Sequence, residues 1–476
     1  MDSDKFSFKV SEEFVEKQFN DQILDNISEF IKIPNLSPSY DPEWLTNGNQ
    51  ERVTSFLLDY TLKQGIKGLK AEVIQSKGKT SVIFIEIEAC NSTKNTLLYG
   101  HFDKQPHFTG WSEGLGPLLP VIRGDLLYGR GGADDGYAIF SALAAIKSVQ
   151  TQGKSHPRSV ILIEGSEESG SPDLIQYIDL LKDRIGTPDM LVCLDSGCID
   201  YETLWITTSL RGVIVIDLEI ETMQEAVHSG AGGGMAPDSF MILRNLMERI
   251  EDSNTGVMIP EFHDEIPSGR CSEIENVANL MKEKVLEKVK LGKGNDGKGV
   301  KPTHENYAEV IKNCTWRPCI SIVGASGFPV HSTAGNVLRA STTVRISMRL
   351  PPTRDHKQAH ALLVQKLTEN PPFNAKITVS GNHGGTGFNS NVFSDTLTKS
   401  IAECSQLAFG RDVQCFGEGG SIPFIKQLGD YFPKCDLLVL GILGPGSNAH
   451  TINESLHIPY CKKITTIISK VLNDCA

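Results

Sequence analysis

The sequence predicts an α/β protein of two domains, the second inserted into the first. Three observations support this prediction. The chain of 476 residues exceeds the length of one small domain. Up to residue 209, apolar strand patterns alternate with amphipathic helical patterns, as in a sheet covered by helices. The pattern is α+β over 210–382 and α/β again over 383–476. We therefore expect residues 1–209 and 383–476 to form one domain and 210–382 another.

Composition excludes several classes of protein. The net charge of -12 offers no basic field to attract phosphates, so nucleic-acid binding is not expected. No apolar run approaches membrane-spanning length, and acids occupy the N-terminal positions where a signal peptide needs positive charge. The 11 cysteines lie scattered without CxxC pairs, which is typical of reduced core thiols. We expect a cytoplasmic protein that acts neither on nucleic acid nor at a membrane.

The first chemical motif follows two helices and two strands. Residues 11–33 and 49–65 have helical periodicity, and 70–75 and 80–88 have strand patterns. The next strand ends in His101-Phe-Asp103. On an extended chain these two polar side chains point to the same side, so Asp103 can support the imidazole of a metal-binding His101. For the triplet alone, a loop histidine beside a turn aspartate is the alternative.

A glycine-rich segment then leads into a helix. The glycines between 129 and 136 allow a tight turn, and Asp134 and Asp135 stand at the helix start, where the helix dipole favours negative charge. A helix N-cap with acidic first-turn residues is the alternative interpretation. A phosphate-binding loop is not expected, because its Lys-Ser/Thr pair is missing.

Two further strands end in acids. Apolar residues 160–163 break at Gly165 into a turn that carries Glu167 and Glu168, and the strand from 190 ends at Asp195. Adjacent acids repel each other unless water or a cation compensates them, so a solvated acidic turn is the alternative. Functional residues of α/β sheets gather at the carboxyl ends of strands, and the recurrence of such ends here predicts a shared site.

The remaining chain supplies one more imidazole at a similar position. The inserted block has predicted strands at 213–221, 341–350 and 375–380, helices at 237–250 and 355–369, a glycine-rich loop after His228, and a polar surface loop at 287–302. In the final block, His450 follows an apolar strand and a glycine turn.

Together these strand ends supply a complete ligand set for divalent metal. Two imidazoles and three carboxylates suit Zn or Mn: His101, Asp134, Glu168, Asp195 and His450. If one carboxylate bridges two ions, each ion keeps one histidine and one acid. Glu167 is then free to act as general base on a metal-activated water. We therefore expect two divalent ions, Zn or Mn, in each subunit.

The motifs also resemble a known family in their order along the chain. They are Tyr99-Gly-His-Phe-Asp103, Gly129-Arg-Gly-Gly-Ala-Asp-Asp135, Glu167-Glu-Ser-Gly-Ser171, Asp195, Val227-His-Ser-Gly230, Gly419-Gly-Ser-Ile-Pro423 and Ala449-His450. This order resembles the dinuclear metallopeptidases that include carnosine dipeptidase, peptidase V, glutamate carboxypeptidase, aminoacylase and the desuccinylases. The likeness runs from about residue 20 to the C-terminus and is greatest to cytosolic non-specific dipeptidases.

The resemblance implies a mixed-sheet, dinuclear-metal aminopeptidase-like catalytic domain with an inserted α+β lid and dimerisation domain. Placed on this sequence, it implies that Asp134 bridges, that His101 and Asp195 complete one ion site, and that Glu168 and His450 complete the other. It further implies that Asp103 orients His101, that Glu167 is the base, and that the Asp134-Asp135 bond is cis. In a homodimer, His228 would reach the partner subunit's site and stabilise the oxyanion.

Substrate-binding positions and departures from the family pattern also follow from the resemblance. Arg349, Asn336, His383 and Ser421 match positions that hold substrate in dipeptidase relatives. Arg349 would clamp a free carboxylate, with a surface arginine at a strand end as the alternative. Relatives usually have Lys-Gly where this chain has Gly136-Tyr137, and often Arg where it has Gly417; the loop at 287–302 is also unusual. These departures leave the metal ligands intact.

The expected function is hydrolysis of the amide bond of dipeptides or short peptides that have a free C-terminal carboxylate. An N-acyl amino acid deacylase shares every expected metal ligand and is the first alternative. The second is an inactive relative that acts in protein interaction, and the complete ligand set argues against it. The substrate would be a small peptide.

Overall fold

The computed structural model describes residues 5–476 except 288 and 290. The chain divides into two compact units. The first unit comprises the residues up to Thr207, with Ser390–Cys415 and Gln427–Ala476; the second comprises Thr208–Asn389 and Phe416–Lys426.

The described residues form these helices: α1 Phe8–Gln18, α2 Leu24–Ile31, α3 Asn49–Leu62, α4 Tyr137–Thr151, α5 Leu174–Ile185, α6 Ser229–Gly232, α7 Ser239–Glu248, α8 Ser268–Met281, α9 Tyr307–Thr315, α10 His356–Thr368, α11 Asp395–Phe409, α12 Pro423–Tyr431 and α13 Ile458–Asp474. Within the described range, no helix has the length and apolar character needed to cross a bilayer.

They form these strands: β1 Leu69–Gln75, β2 Ser81–Ile87, β3 Asn95–His101, β4 Val121–Arg123, β5 Leu126–Tyr128, β6 Arg158–Glu164, β7 Met190–Cys193, β8 Trp205–Leu210, β9 Gly212–Glu221, β10 Val227–His228, β11 Cys319–Ser326, β12 Val337–Leu338, β13 Ser341–Leu350, β14 Lys376–Gly385, β15 Phe388–Asn389, β16 Gln414–Glu418, β17 Asp436–Val439 and β18 Ser455–His457.

The first unit is built on a mixed six-stranded sheet in the order β1-β2-β6-β3-β7-β17. Strands β6, β3, β7 and β17 run parallel, whereas β1 and β2 pair antiparallel. Strands β3, β6 and β7 are buried along almost their whole length, as expected when both faces of a sheet are covered. The carboxyl ends of the parallel strands meet at one edge, so the residues that follow β3, β6 and β7 come together there.

Helix α4 begins directly after the glycine-rich segment and forms part of this core. Twelve of its 15 residues are buried, because the helix is apolar on nearly every side and packs against α1 and α13. Its first residue, Tyr137, is fully buried. The start of α4 is therefore held firmly in place.

The second unit contains an antiparallel four-stranded sheet in the order β11-β13-β9-β14. Strands β9 and β13 alternate buried and less buried residues, the pattern of a sheet with one covered face. That face packs against α7 and α10 in a cluster that includes Ile216, Leu218, Leu246, Ile346 and Leu363. Strand β11 lies at the edge, and its residues 321–326 are exposed.

The predicted α/β fold with mixed sheets is confirmed, and local bounds differ from the sequence pattern. The predicted helix over 11–33 is divided by a π-helical segment at Phe19–Ile23. The predicted strand at 375–380 extends to Gly385 after a bulge. Two positions of the predicted loop at 287–302, 288 and 290, lie outside the described residues, and its others are mostly exposed. The role of 210–382 as a lid and dimerisation domain stays a prediction.

Candidate metal centre

The first unit brings the five expected metal ligands together. They form two groups, His101 with Asp134 and Asp195, and Asp134 with Glu168 and His450. The ligand atoms of each group lie within 4.8 Å of one another. Asp134 belongs to both groups, so two ions held there would share one carboxylate.

The two oxygens of Asp134 face different histidines. Oδ1 lies 3.4 Å from Nε2 of His101, and Oδ2 lies 3.0 Å from Nε2 of His450. The remaining acid of each group lies near the same histidine nitrogen: Nε2 of His101 is 3.9 Å from Asp195 Oδ1, and Nε2 of His450 is 3.3 Å from Glu168 Oε2. A bridging carboxylate requires one oxygen directed to each site, and Asp134 has this arrangement.

Strand ends and tight turns place these ligands. His101 ends β3, Asp195 follows β7, and Glu168 lies in the short helical turn after β6. Asp134 precedes α4, and its peptide bond to Asp135 is cis, as predicted. His450 lies in the loop after β17 with a φ of 60°, a conformation that L residues rarely adopt.

Asp103 contacts both the predicted ligand His101 and the acidic turn. The fully buried carboxylate lies 3.4 Å from Nδ1 of His101, which also approaches the Asp103 carbonyl at 3.1 Å. Its Oδ1 accepts from the amide of Glu167 at 3.1 Å, and its Oδ2 accepts from the amide of Glu168 at 3.0 Å. One carboxylate therefore links the β3 end to the acidic turn.

Asp135 belongs to neither ligand group. It is buried, and its Oδ2 accepts from the backbone amide of His101 at 3.2 Å. Burial, and then the charge of Asp195, raises the pKa of the Asp135 carboxyl well above its ordinary value. The adjacent acids thus differ in position: Asp134 lies among the expected ligands, whereas Asp135 accepts a hydrogen bond from the backbone amide of His101.

The electrostatics of the acidic turn reflect crowding of carboxylates away from water. Burial, and then the charge of Asp195, raises the pKa of Glu167 well above its ordinary value. Burial, and then Asp134, does the same for Glu168. Although burial opposes it, His101 and His450 hold the pKa of Asp134 below its ordinary range. Negative charge at this density calls for compensation by cations.

The donor atoms fit divalent metal. His101 Nε2 and Glu168 Oε1 are buried, and neither has a hydrogen-bond partner among the described residues. Such atoms are costly unless something else satisfies them. Imidazole nitrogens and carboxylate oxygens are ligands for Zn²⁺ and Mn²⁺. Oε2 of Glu167 lies 4.0 Å from Nε2 of His101, so a further carboxylate outside both ligand groups faces the same centre.

The predicted substrate-binding residues lie in the second unit, where the structure brings two of them together. Nη1 of Arg349 donates to Ser421 Oγ at 2.9 Å, and that hydroxyl donates to the Arg211 carbonyl at 2.5 Å. His383 lies exposed on β14, next to a bulge. Asn336 is exposed, and its carbonyl accepts from the amide of Ser229, beside the exposed His228.

Sequence reasoning missed Arg211. The residue is only 7% exposed. It donates to the Gly419 carbonyl at 3.1 Å and approaches Cys319 Sγ at 3.1 Å. Burial, and then the charge of Arg211, lowers the pKa of Arg349. The only sequence signal was an Arg-Gly pair between two strand patterns, which does not predict these partners.

The fold and the two groups of candidate metal ligands match the expectation of a metal-dependent hydrolase, and similarity to known proteins identifies the family. The family model described as Peptidase family M20/M25/M40 matches residues 97–474. The chain belongs to this family and is a metallopeptidase that uses divalent metal.

Relatives include two dipeptidases. A cysteinylglycine-S-conjugate dipeptidase of Corynebacterium striatum is 26% identical over 376 residues, which are 78% of this chain and 78% of the relative. The Cys-Gly metallodipeptidase DUG1 of Saccharomyces cerevisiae is 29% identical over 384 residues, 77% of this chain and 76% of the relative. The crystal structure of human carnosine dipeptidase 1 superposes with a TM-score of 0.78 and 19% identity, covering 99% of each chain, and supports the fold.

Proposed function

We propose that this metallopeptidase is a dinuclear dipeptidase that cleaves the amide bond of dipeptides or short peptides with a free C-terminal carboxylate. The observation that carries the proposal is the shared Asp134, whose two oxygens face the two histidine-containing ligand groups. The dipeptidase names of the relatives support the substrate class.

The residues divide the chemistry between them. His101, Asp134 and Asp195 would hold one ion, and Asp134, Glu168 and His450 the other. Two ions, Zn or Mn, would polarise the substrate carbonyl and lower the pKa of a water. Glu167 takes the proton of the attacking water and returns it to the leaving amine. Its position outside both ligand groups leaves its carboxylate available for this task.

The second unit would supply substrate recognition. Arg349 is partly buried, bonds to the neutral hydroxyl of Ser421, and forms no ion pair within the described part of the chain. A desolvated guanidinium without an acidic partner favours an anion, and its fork suits a carboxylate. We assign the substrate's free carboxylate to Arg349 and Ser421, with Asn336 and His383 as further contacts.

A homodimer is part of the proposal. Edge strand β11 leaves backbone groups unpaired, and its Ile322 and Val323 are 48% and 59% exposed. Beside it, a groove of about 580 Å³ is lined by residues of α7 and β11 that include Phe240, Met241, Arg244 and Ile322. A second copy that pairs through this edge would cover both features with a self-complementary interface. His228 would then serve the partner subunit's oxyanion.

We place the enzyme in the cytoplasm, where thiols stay reduced, because all 11 cysteines are free in the structure.

A panel of substrates tests the function. Protein freed of metal and reloaded separately with Zn or Mn is given dipeptides and the corresponding N-acetyl amino acids, and amine release is measured. We expect dipeptide turnover without deacylation. Deacylation alone would show that the protein is an N-acyl amino acid deacylase and not a dipeptidase. Silence on both substrate sets with metal bound would refute hydrolysis of either class.

A further inference from the structure

The loop at residues 131–137, here called the bridging loop, carries Asp134 and is held at both ends by buried side chains that have no expected role from the sequence. Glu454 contacts its beginning, and Tyr137 forms its end. Both side chains are 0% exposed. Each connects the loop to a different segment that carries a metal ligand.

Glu454 binds the start of the bridging loop through several hydrogen bonds. Its Oε1 accepts from the amides of Gly131 at 2.9 Å, Ala133 at 3.2 Å and Asp134 at 3.3 Å. Its Oε2 accepts from Nη1 of Arg130 at 2.7 Å, so a buried cation balances its charge. Glu454 stands four residues after His450. It therefore ties the bridging carboxylate to the loop that carries His450.

Tyr137 anchors the other end. Its hydroxyl donates to the carbonyl of Leu194, the residue immediately before Asp195. The preceding Gly136 has no room for a side chain, since a Cβ there would lie 2.3 Å from Cε1 of Phe30. Gly136-Tyr137 is the pair that departs from the family pattern, and in this fold it links the bridging loop to the strand end that carries Asp195.

We propose that Tyr137 and Glu454 are positioning residues that set the spacing of the two ion sites. Tyr137 fixes Asp134 relative to Asp195, and Glu454 fixes it relative to His450. The inference rests on the proposed dinuclear centre. Because a shared carboxylate must reach both ions at once, a shift of its loop by a fraction of an ångström weakens ligation. Each anchor acts most on the ion whose other ligand it joins to the loop, because Tyr137 also holds the segment of Asp195 and Glu454 also holds the segment of His450.

The first test removes one hydroxyl. Metal-free Tyr137→Phe protein is titrated with Co²⁺ alone, and binding is followed by visible absorption and by competition with a chelator. We expect one of the two ions to bind about tenfold or more weakly. In a His450→Ala background, which keeps the His101 site, the loss should persist; in a His101→Ala background it should largely disappear. The matched control is Tyr460→Phe, whose buried hydroxyl donates to the Thr203 carbonyl at 3.1 Å.

The second test separates the hydrogen bonds of Glu454 from its charge. Arg130→Met is combined with either Glu454→Gln or Glu454→Met, so neither protein leaves one partner of this ion pair buried alone. The Gln variant retains an oxygen acceptor for the amides of the bridging loop, and the Met variant does not. We expect the Met pair to bind Co²⁺ at the His450 site about tenfold more weakly than the Gln pair.

The outcomes distinguish the two levels of the proposal. If wild-type protein binds fewer than two ions, the dinuclear centre is refuted, and the positioning roles with it. Suppose instead that wild-type protein binds two ions. The positioning inference is then overturned if the Co²⁺ affinity of Tyr137→Phe matches that of Tyr460→Phe within about twofold, and the affinities of the Gln and Met pairs match each other as closely. Thermal unfolding of the metal-free proteins measures folding separately. Should Tyr137→Phe fail to fold, the Glu454 pairs decide the result.

Discussion

At the residue scale, Asp103 shows how one side chain organises several functional groups. Its two oxygens accept from the amides of Glu167 and Glu168, and the same carboxylate lies beside His101. The proposed base, one ligand of one site and one ligand of the other therefore depend on a single buried acid. Asp103 itself need not touch substrate to affect the reaction.

Asp103→Asn should weaken metal binding by about ten- to a hundredfold. The substituted amide presents an NH₂ group to one of the two backbone N–H donors, so one hydrogen bond becomes a donor–donor contact. Chelator competition measures the affinity. Asp189→Asn is the control, because Asp189 also accepts from a backbone amide, that of Asn95 at 2.9 Å. Equal metal affinity in the two variants would contradict the role of Asp103.

Arg349→Lys should lower the preference of the enzyme for a free dipeptide over its C-terminal amide by about tenfold. Lysine keeps the charge but loses the fork that suits a carboxylate. The ratio of kcat/KM for the two substrates gives the preference. Arg345→Lys serves as the control, because Arg345 lies on the same strand and forms an ion pair with Asp217. An unchanged ratio in Arg349→Lys would show that Arg349 does not bind the substrate's free carboxylate.

The sequence predicted which residues the structure gathers at the candidate metal centre, but not which side chains hold them there. His101, Asp134, Glu168, Asp195 and His450 were identifiable because each is a ligand type at a strand end or tight turn. Arg211, Tyr137 and Glu454 were not, because their roles depend on partners distant in the chain. A tyrosine hydroxyl on the Leu194 carbonyl has no local pattern.

At the element scale, the periodicity of the sequence predicted the kinds of elements better than their limits. Strands β3, β6 and β7 were predictable because both faces are covered, which leaves continuous apolar runs. The π-helical segment at Phe19–Ile23 keeps the apolar stripe of α1 and α2 and so leaves no sequence signal. The extension of β14 to Gly385 depends on a bulge, which is set by its partner strand.

Gly441→Ala should lower the temperature of unfolding by roughly 5 °C or more. Gly441 follows β17, and a Cβ there would lie 1.9 Å from the carbonyl oxygen of Ser196 in the segment after β7. Backbone atoms cannot turn away as a side chain can. Thermal unfolding of metal-free protein is the measurement. Gly269→Ala, with nothing within 4 Å of its Cβ, is the control and should unfold at or above the wild-type temperature.

At the scale of the whole molecule, the chain crosses between its two compact units several times. The second unit includes Phe416–Lys426, which lies within a stretch of α/β pattern in the sequence. Such a return is not visible in periodicity, because it depends on pairing between distant segments. The short crossing carries Ser421 to Arg349, a contact between distant segments that no local pattern in the sequence indicates.

The dimer proposal predicts complementation between two inactive proteins. Glu167→Gln and His228→Ala subunits, co-expressed and purified as the mixed dimer, should regain up to about half of wild-type activity, because each mixed dimer has one of its two sites with both residues intact. Dipeptide turnover of the purified mixed dimer is the measurement. Addition of Ile322→Asp to both chains should abolish the recovery. No recovery from a confirmed mixed dimer would refute action of His228 across subunits.

The most direct test of the central claim compares wild type with Glu167→Gln in the same metal-loaded preparation. Metal content per chain and the hydrolysis of one dipeptide are measured together. The account predicts two ions in both proteins and a loss of turnover of about a hundredfold or more in Glu167→Gln, because the ligands remain and the proton acceptor is gone. Near-normal turnover in the variant, or fewer than two ions in wild type, would contradict a dinuclear centre with Glu167 as its base.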